Sequence, residues 1–262
     1  MDILDERIRN EVSFVTGGII DIVRFENALC NKVYFINAVN GKYVIKVAAG
    51  SSRKRELKKE NDVLRFLEGK IAVPAIRLYN EFDCVSYILM EFIEGETFQS
   101  LLSDNNTCKT LRIRGLGQTL REIHEVSLDE SHDYHEILNF LLQKAEANMN
   151  NDLLDPEEFI IDGKYMEPRR LLDELVSHKT AAANICLLHG DYRPKNVICN
   201  SKKNVVIDWG FSETGDPYYD LAVILYYFNK EEQAVFLEGY GIQRLDHEKL
   251  RYFDYLSKFI NV

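Results

Sequence analysis

The feature that most limits how this chain can fold is a pair of apolar, strand-like runs, Val197–Cys199 and Val205–Ile207. They are joined by the turn-rich loop Asn200-Ser-Lys-Lys-Asn204, and both abut polar residues. Cys186-Leu-Leu-His-Gly-Asp-Tyr-Arg-Pro-Lys-Asn precedes the first run, and Asp208-Trp-Gly-Phe follows the second. A hairpin in symmetric register predicts Ile198 opposite Val206 and, two residues out, Asn196 opposite Asp208. Directly opposed side chains have Cβ atoms about 4.5–5.5 Å apart. An amide oxygen and a carboxylate at that separation can share one hard divalent cation, which prefers oxygen ligands. Asp191 stands five residues before Asn196, on the loop that enters the hairpin.

Any one of these residues alone would read as a turn-capping Asp or Asn. Together they match the needs of phosphoryl transfer to an alcohol: metal on the phosphates, a carboxylate to orient the hydroxyl, and a cation on the phosphates. Asp191 can be the carboxylate, with Asn196 and Asp208 as metal ligands. The cation is expected from the first part of the chain, where Lys46 is a lone charge in Tyr43-Val-Ile-Lys-Val. A charged helix predicted from Ser52 carries Glu60 and, one turn earlier, Glu56, either of which can hold the Lys46 amine.

Upstream, Ile19–Phe25, Val33–Val39 and Lys42–Val47 read as strands, with Asn40-Gly41 as a hairpin signal. Leu57, Val63/Leu64 and Leu67 have helical spacing, and Gly69 supplies a stop. Pro74 opens another extended stretch, and Cys84–Phe92 reads as a buried strand. The first part is therefore expected to hold antiparallel strands and one helix. After Gly95 the texture turns helical, with amphipathic stretches at Leu111–Val126, His135–Asn148, Pro168–His178 and Lys230–Tyr240. The predicted organisation is a β-rich N-terminal lobe over 1–92 and a mainly helical lobe over 93–262.

Composition excludes several classes. The 46% hydrophobic content describes an ordinary globular chain rather than a disordered one. No apolar run is long enough to cross a bilayer, and the acidic start Met-Asp-Ile-Leu-Asp-Glu lacks the regions of a signal peptide. The five scattered cysteines have no CxxC spacing, which argues against a disulfide framework or zinc site. A cytoplasmic monomer without membrane partners is expected. Residues 1–92 have a formal charge of +1 and residues 93–262 one of −11. That balance disfavours nucleic acid and suits a cationic ligand on the second lobe.

With these residues in place, the sequence resembles the aminoglycoside phosphotransferase family, relatives of the protein kinases that include choline kinases and other small-metabolite kinases. His189-Gly-Asp-Tyr-Arg-Pro-Lys-Asn196 is similar to its catalytic-loop motif, and Val206-Ile-Asp-Trp-Gly210 to its metal motif. Gly215-Asp-Pro-Tyr-Tyr-Asp-Leu-Ala222 and Leu120-Arg-Glu-Ile-His-Glu125 resemble further family segments. The resemblance implies an α+β, bilobal protein-kinase-like fold. It also implies that Asp191 is the general base or hydroxyl-orienting residue, that Asn196 and Asp208 bind Mg²⁺, and that Lys46 contacts the phosphates of ATP or GTP. Glu60 is the implied partner of Lys46, because Glu-Asn-Asp-Val-Leu matches the family's Glu-x-x-x-Leu. Ile88-Leu-Met-Glu-Phe-Ile93 resembles the hinge: Met90 would line the adenine pocket, and backbone groups of Glu91 and Ile93 would bond the base. His189 and Asp220 would support the loop structurally. One departure is that the glycine places of a kinase phosphate loop hold Glu26, Ala28 and Asn31, where backbone approaches phosphate less freely.

The acidic second lobe suits a polycationic acceptor, an aminoglycoside antibiotic, and hence a resistance enzyme. Candidate carboxylates are Glu213, Asp216, Glu238 and Asp254. Tyr134, Phe140, Tyr218, Tyr226, Tyr227 and Phe228 are aromatics able to stack on a sugar or an ammonium group, although helical spacing assigns most of them to the core. The alternatives are a kinase of choline or another small metabolite, and a non-catalytic nucleotide-binding regulator, which would have no need of Asp191. Trp209 and the lack of Ala-Pro-Glu after Gly210 disfavour a protein kinase.

Overall fold

In Lys32–Ala38 the side chains of Tyr34, Ile36 and Ala38 point to one face and are buried, as period-two alternation requires. Burial of large apolar side chains such as Ile36, contributing about 1.5–3 kcal/mol when fully covered, organises the first part of the chain. The computed structural model describes residues 4–26, 31–102, 108–128, 133–161, 163–180, 185–200 and 203–260. Ala28 lies outside the described residues.

In chain order the elements are α1 (Glu6–Thr16), β1 (Ile19–Arg24), β2 (Lys32–Ala38), β3 (Gly41–Ala49), α2 (Ser51–Leu67), β4 (Ile76–Phe82) and β5 (Val85–Glu91). Next come β6 (Glu96–Thr97), α3 (Phe98–Leu102), α4 (Lys109–His124), α5 (Tyr134–Asn150), β7 (Ile160–Ile161), β8 (Lys164–Tyr165) and α6 (Pro168–Ser177). The chain continues with β9 (Cys186–Leu188), β10 (Val197–Cys199), β11 (Asn204–Val206), β12 (Glu213–Gly215), α7 (Tyr218–Leu225), α8 (Lys230–Tyr240) and α9 (His247–Ile260). Two compact units result, one from residues 1–98 with 196–211, the other from 99–195 with 212–262.

The first unit is built on an antiparallel sheet of order β1-β2-β3-β5-β4. Its core gathers Tyr34, Ile36, Ile45, Tyr87 and Leu89 against Ile8 and Val12 of α1. This helix is a second one in a region where a single helix was expected. Its apolar residues are few, and Asp5 starts it by accepting the Arg7 and Ile8 N–H groups at 2.9 and 3.4 Å. The β2–β3 turn also differs, falling on Val39 and Asn40, because Gly41 already pairs with Ala38. The Val39 and Asn40 N–H groups donate to the carbonyls of Gly18 and Thr16, which draws the turn one residue earlier.

The second unit is helical around Leu138, Leu141, Phe159, Leu171, Phe253 and Phe259. Its α4 and α8 cross at two glycines. A Cβ on Gly117 would lie 2.2 Å from the Phe236 carbonyl oxygen, and one on Gly239 would lie 2.1 Å from that of Arg114. Among the described residues, no helix is long and apolar enough to cross a membrane.

Gly→Ala at an exposed helix position stabilises by up to about 1 kcal/mol, but here a backbone carbonyl occupies the space of the added methyl. Gly239→Ala is therefore expected to destabilise by about 1–3 kcal/mol, read as a lower melting temperature. A melting temperature equal to or above that of the parent would refute the close crossing.

Candidate active site

In the first unit, strand pairing sets Lys46 on β3 between Val33 of β2 and Ile88 of β5. Its ammonium donates to Glu60 Oε1 at 2.6 Å and Asp208 Oδ1 at 2.9 Å. Glu60 projects from α2, is 2% exposed, and also accepts the backbone N–H of Trp209. Glu56, one turn earlier, is half-buried and instead accepts from the Ser52 hydroxyl at 3.3 Å. Burial alone would depress the Lys46 amine, but the charges of Glu60 and Asp208 outweigh it and hold the amine above its ordinary value. Burial pushes the Glu60 carboxyl up, against the pull of Lys46.

The hairpin after Asn196 has a different register from the symmetric one. Val197 pairs with Val206 and Ile198 with Val205, and the Ile207 N–H donates to the Asn196 carbonyl at 2.9 Å. Asn196 thus stands against Ile207, not against Asp208. The cause is a tighter loop: Cys199 pairs with Asn204, and Asn200 and Lys203 close the turn on each other at 3.2 and 3.0 Å. Asp208 falls just past the strand, in a left-handed conformation with φ 69°. That backbone is uncommon for a residue with a side chain, and here it accompanies the turn of the carboxylate to Lys46.

Asn196 is buried, whereas the Asp208 side chain is 45% exposed. Both offer hard oxygen donors of the kind Mg²⁺ takes. Among the described residues no group of three or more His, Cys, Asp or Glu could hold a metal ion by itself. This donor set fits a Mg²⁺ held by one or two protein groups together with substrate phosphates, the usual arrangement for that ion.

The hinge-like segment ends β5. Met90 is buried and pairs with Val44. The Glu91 N–H donates to Ala75 and the Phe92 N–H to Lys42, so neither of these donors is left to serve a base. Glu91 and Ile93 both line a cavity of 630 Å³ in this unit.

In the second unit, buried β9 leads into the loop of Asp191. Asp220, fully buried on α7, accepts the backbone N–H groups of His189 at 2.7 Å and Gly190 at 2.9 Å. Gly190 has φ 80°, a conformation that glycine adopts without penalty. The Asp191 N–H donates to His189 Nδ1 at 3.2 Å, which puts the proton of a neutral ring on Nε2. Asp191 itself is 6% exposed and paired with Arg193, with Lys195 at 3.9 Å.

Sequence reasoning overlooked Arg193, although it stands two residues after the carboxylate, and His124, which lies 3.1 Å from Asp220 and 2.7 Å from the Tyr240 hydroxyl. The Leu120–Glu125 segment contained the signal for His124 but no hint of its partner. The acidic candidates separate too. Asp216 is buried and bound to Lys249 at 2.6 Å, and Glu238 is paired with Arg114 at 2.7 Å. Asp254, by contrast, borders a cavity that Arg193 also lines.

A model of the phosphotransferase enzyme family matches residues 21–253. The aminoglycoside 3'-phosphotransferase of Niallia circulans is 28% identical over 239 residues, 87% of each chain. That of Enterococcus faecalis is 28% identical over 211 residues, 78% of each chain. The crystal structure of aminoglycoside-3'-phosphotransferase of type VIII is similar with a TM-score of 0.76 at 22% identity, covering 97% of this chain and 100% of that one. A Streptomyces rimosus aminoglycoside phosphotransferase, solved with ADP and streptomycin, is similar with a TM-score of 0.76 at 19% identity, covering 98% and 99%. These structural likenesses establish the protein-kinase-like fold.

Removing the Lys46 ammonium would leave the buried Glu60 carboxylate without its cation. Lys46→Met is expected to cost about 3 kcal/mol of stability in urea unfolding, and adding Glu60→Gln should restore part of that loss. Equal stability of Lys46→Met and the parent would refute the ion-pair account.

Proposed function

The chain belongs to the phosphotransferase enzyme family, that of the aminoglycoside phosphotransferases, and from that premise we propose that it moves the γ-phosphate of ATP or GTP onto a hydroxyl of an aminoglycoside. The observation that carries this reading is the Lys46 ammonium held between Glu60 and Asp208, a charge pre-set beside a carboxylate suited to a metal. The lobe over 1–92 binds the nucleotide, with Met90 against the base and the Glu91 carbonyl and Ile93 N–H as its hydrogen-bonding edge. The lobe over 93–262 carries Asp191 and the acceptor, and the protein acts in the cytoplasm.

Lys46 donates to the α- and β-phosphates and is kept from swinging away by Glu60. Asn196 and Asp208 are the residues that would hold Mg²⁺, which when bound supplies positive charge to the phosphate oxygens. Asp191 orients the acceptor hydroxyl and takes its proton as the oxygen attacks phosphorus. The new O–P bond forms as the bond to the β-phosphate oxygen breaks, and the nucleoside diphosphate leaves with that electron pair. Arg193 steadies the Asp191 carboxylate, while Asp220 and His189 hold the loop by its backbone.

The test is transfer of labelled γ-phosphate to a panel of aminoglycosides and amino alcohols with Mg²⁺ and either nucleotide. Phosphorylation of at least one aminoglycoside is expected, and none would overturn that acceptor class. Asp191→Asn should lower kcat by about 10²–10⁴-fold while leaving nucleotide affinity, measured by equilibrium titration, within about twofold of the parent. Undiminished turnover would overturn the assigned role.

A further inference from the structure

Within the second unit a cavity of 120 Å³ is lined by Arg193, Tyr226, Tyr227, Glu158, Asp254 and Lys258, among others. It adjoins the candidate catalytic carboxylate through Arg193, which pairs with Asp191 and donates a hydrogen bond to the Tyr227 hydroxyl oxygen. Tyr226 and Tyr227 meet edge to face at 5.6 Å, and Tyr226 is 78% exposed, an open aromatic surface. Glu158 and Asp254 line the same cavity.

The ammonium between those two acids belongs to the protein. Lys258 Nζ is 3.7 Å from Glu158 and 4.0 Å from Asp254, beyond hydrogen-bond length of both, yet the Lys258 side chain is only 12% exposed. Residues 93–262 have a formal charge of −11, and of the two cations lining this cavity Arg193 is paired with Asp191, which leaves Lys258 as the one set beside Glu158 and Asp254. Burial raises the Asp254 carboxyl, Lys258 pulls it back down, and Glu158 adds to the rise. Two carboxylates facing one cavity are a natural seat for a ligand ammonium, and here a side chain of α9 already fills it.

Resting on the reading of Asp191 as the catalytic carboxylate, we infer that Lys258 is a specificity-determining residue that stands in for an acceptor ammonium. The part of the acceptor that enters this cavity is then a neutral, hydroxyl-bearing ring lying on Tyr226. Its ammonium groups are bound elsewhere. Replacing Lys258 by a neutral side chain opens a two-carboxylate subsite and turns the preference toward an amino group.

The test uses pairs of aminoglycosides that differ by hydroxyl against amino at one ring position, with the parent, Lys258→Met and the double variant Lys258→Met/Asp254→Asn. The parent should favour the hydroxyl member in kcat/KM, Lys258→Met should shift the ratio about five- to tenfold toward the amino member, and the double variant should lose that shift. Binding of 1,3-diaminopropane, followed by NMR without nucleotide, should be tighter for Lys258→Met than for the parent. Lys258→Gln serves the same comparison should Lys258→Met fail to fold. An unchanged ratio with equal diamine binding would overturn the inference. If the parent phosphorylates no aminoglycoside, the acceptor class fails, while the diamine comparison still decides the role of Lys258.

Discussion

A single ammonium group ties the first unit together. Lys46 comes from the sheet, Glu60 from α2 and Asp208 from the segment after β11, and the two carboxylates converge on one nitrogen at 2.6 and 2.9 Å. Placing a charge there is costly unless it is matched, because desolvation penalises each ion by several kcal/mol. The match is made twice over. It also reaches the backbone, since Glu60 accepts the Trp209 N–H while Trp209 Nε1–H donates to the Val206 carbonyl at 3.0 Å. The left-handed turn at Asp208 is sustained by these contacts on both sides of it.

The second unit solves the same problem chiefly with backbone hydrogen bonds. Asp220 is as buried as Glu60, but it is satisfied by two backbone N–H groups and by His124 instead of by a lysine. A carboxylate accepting bonds from consecutive amides fixes the path of the chain between them. The next residue along that path is Asp191. Its position follows from Asp220 by covalent geometry, with Arg193 setting the direction of the side chain.

Much of this could be read without coordinates. The strands of the sheet, helix α2 and the helices at 109–124, 134–150, 168–177 and 230–240 follow from periodicity, because their buried faces recur at regular intervals. Lys46 was conspicuous as a charge among β-branched neighbours. Helix α1 was hidden because only Ile8 and Val12 mark its buried face among charged residues. The hairpin register was missed by one residue, since a loop's length does not reveal which of its residues join the ladder. In a strand that one-residue difference reverses the side to which a residue points. It is why Asp208 reaches Lys46 through a backbone turn and not by standing opposite Asn196.

The acidity of residues 93–262 shows where summed charge stops being informative. Asp216 and Glu238 are taken up by Lys249 and Arg114, and the acids beside Arg193 face Lys258. Net charge is a sum over the surface, whereas recognition depends on which charges remain uncompensated at one place. The sequence by itself determined the family and with it the class of chemistry, because the motifs His189–Asn196 and Val206–Gly210 are short runs whose residues are neighbours along the chain. Only the tertiary structure decided which glutamate holds Lys46, where Asp208 turns and which ammonium occupies the acids near Arg193. Those choices are made between residues distant in the chain, where packing sets the distances on which charges act.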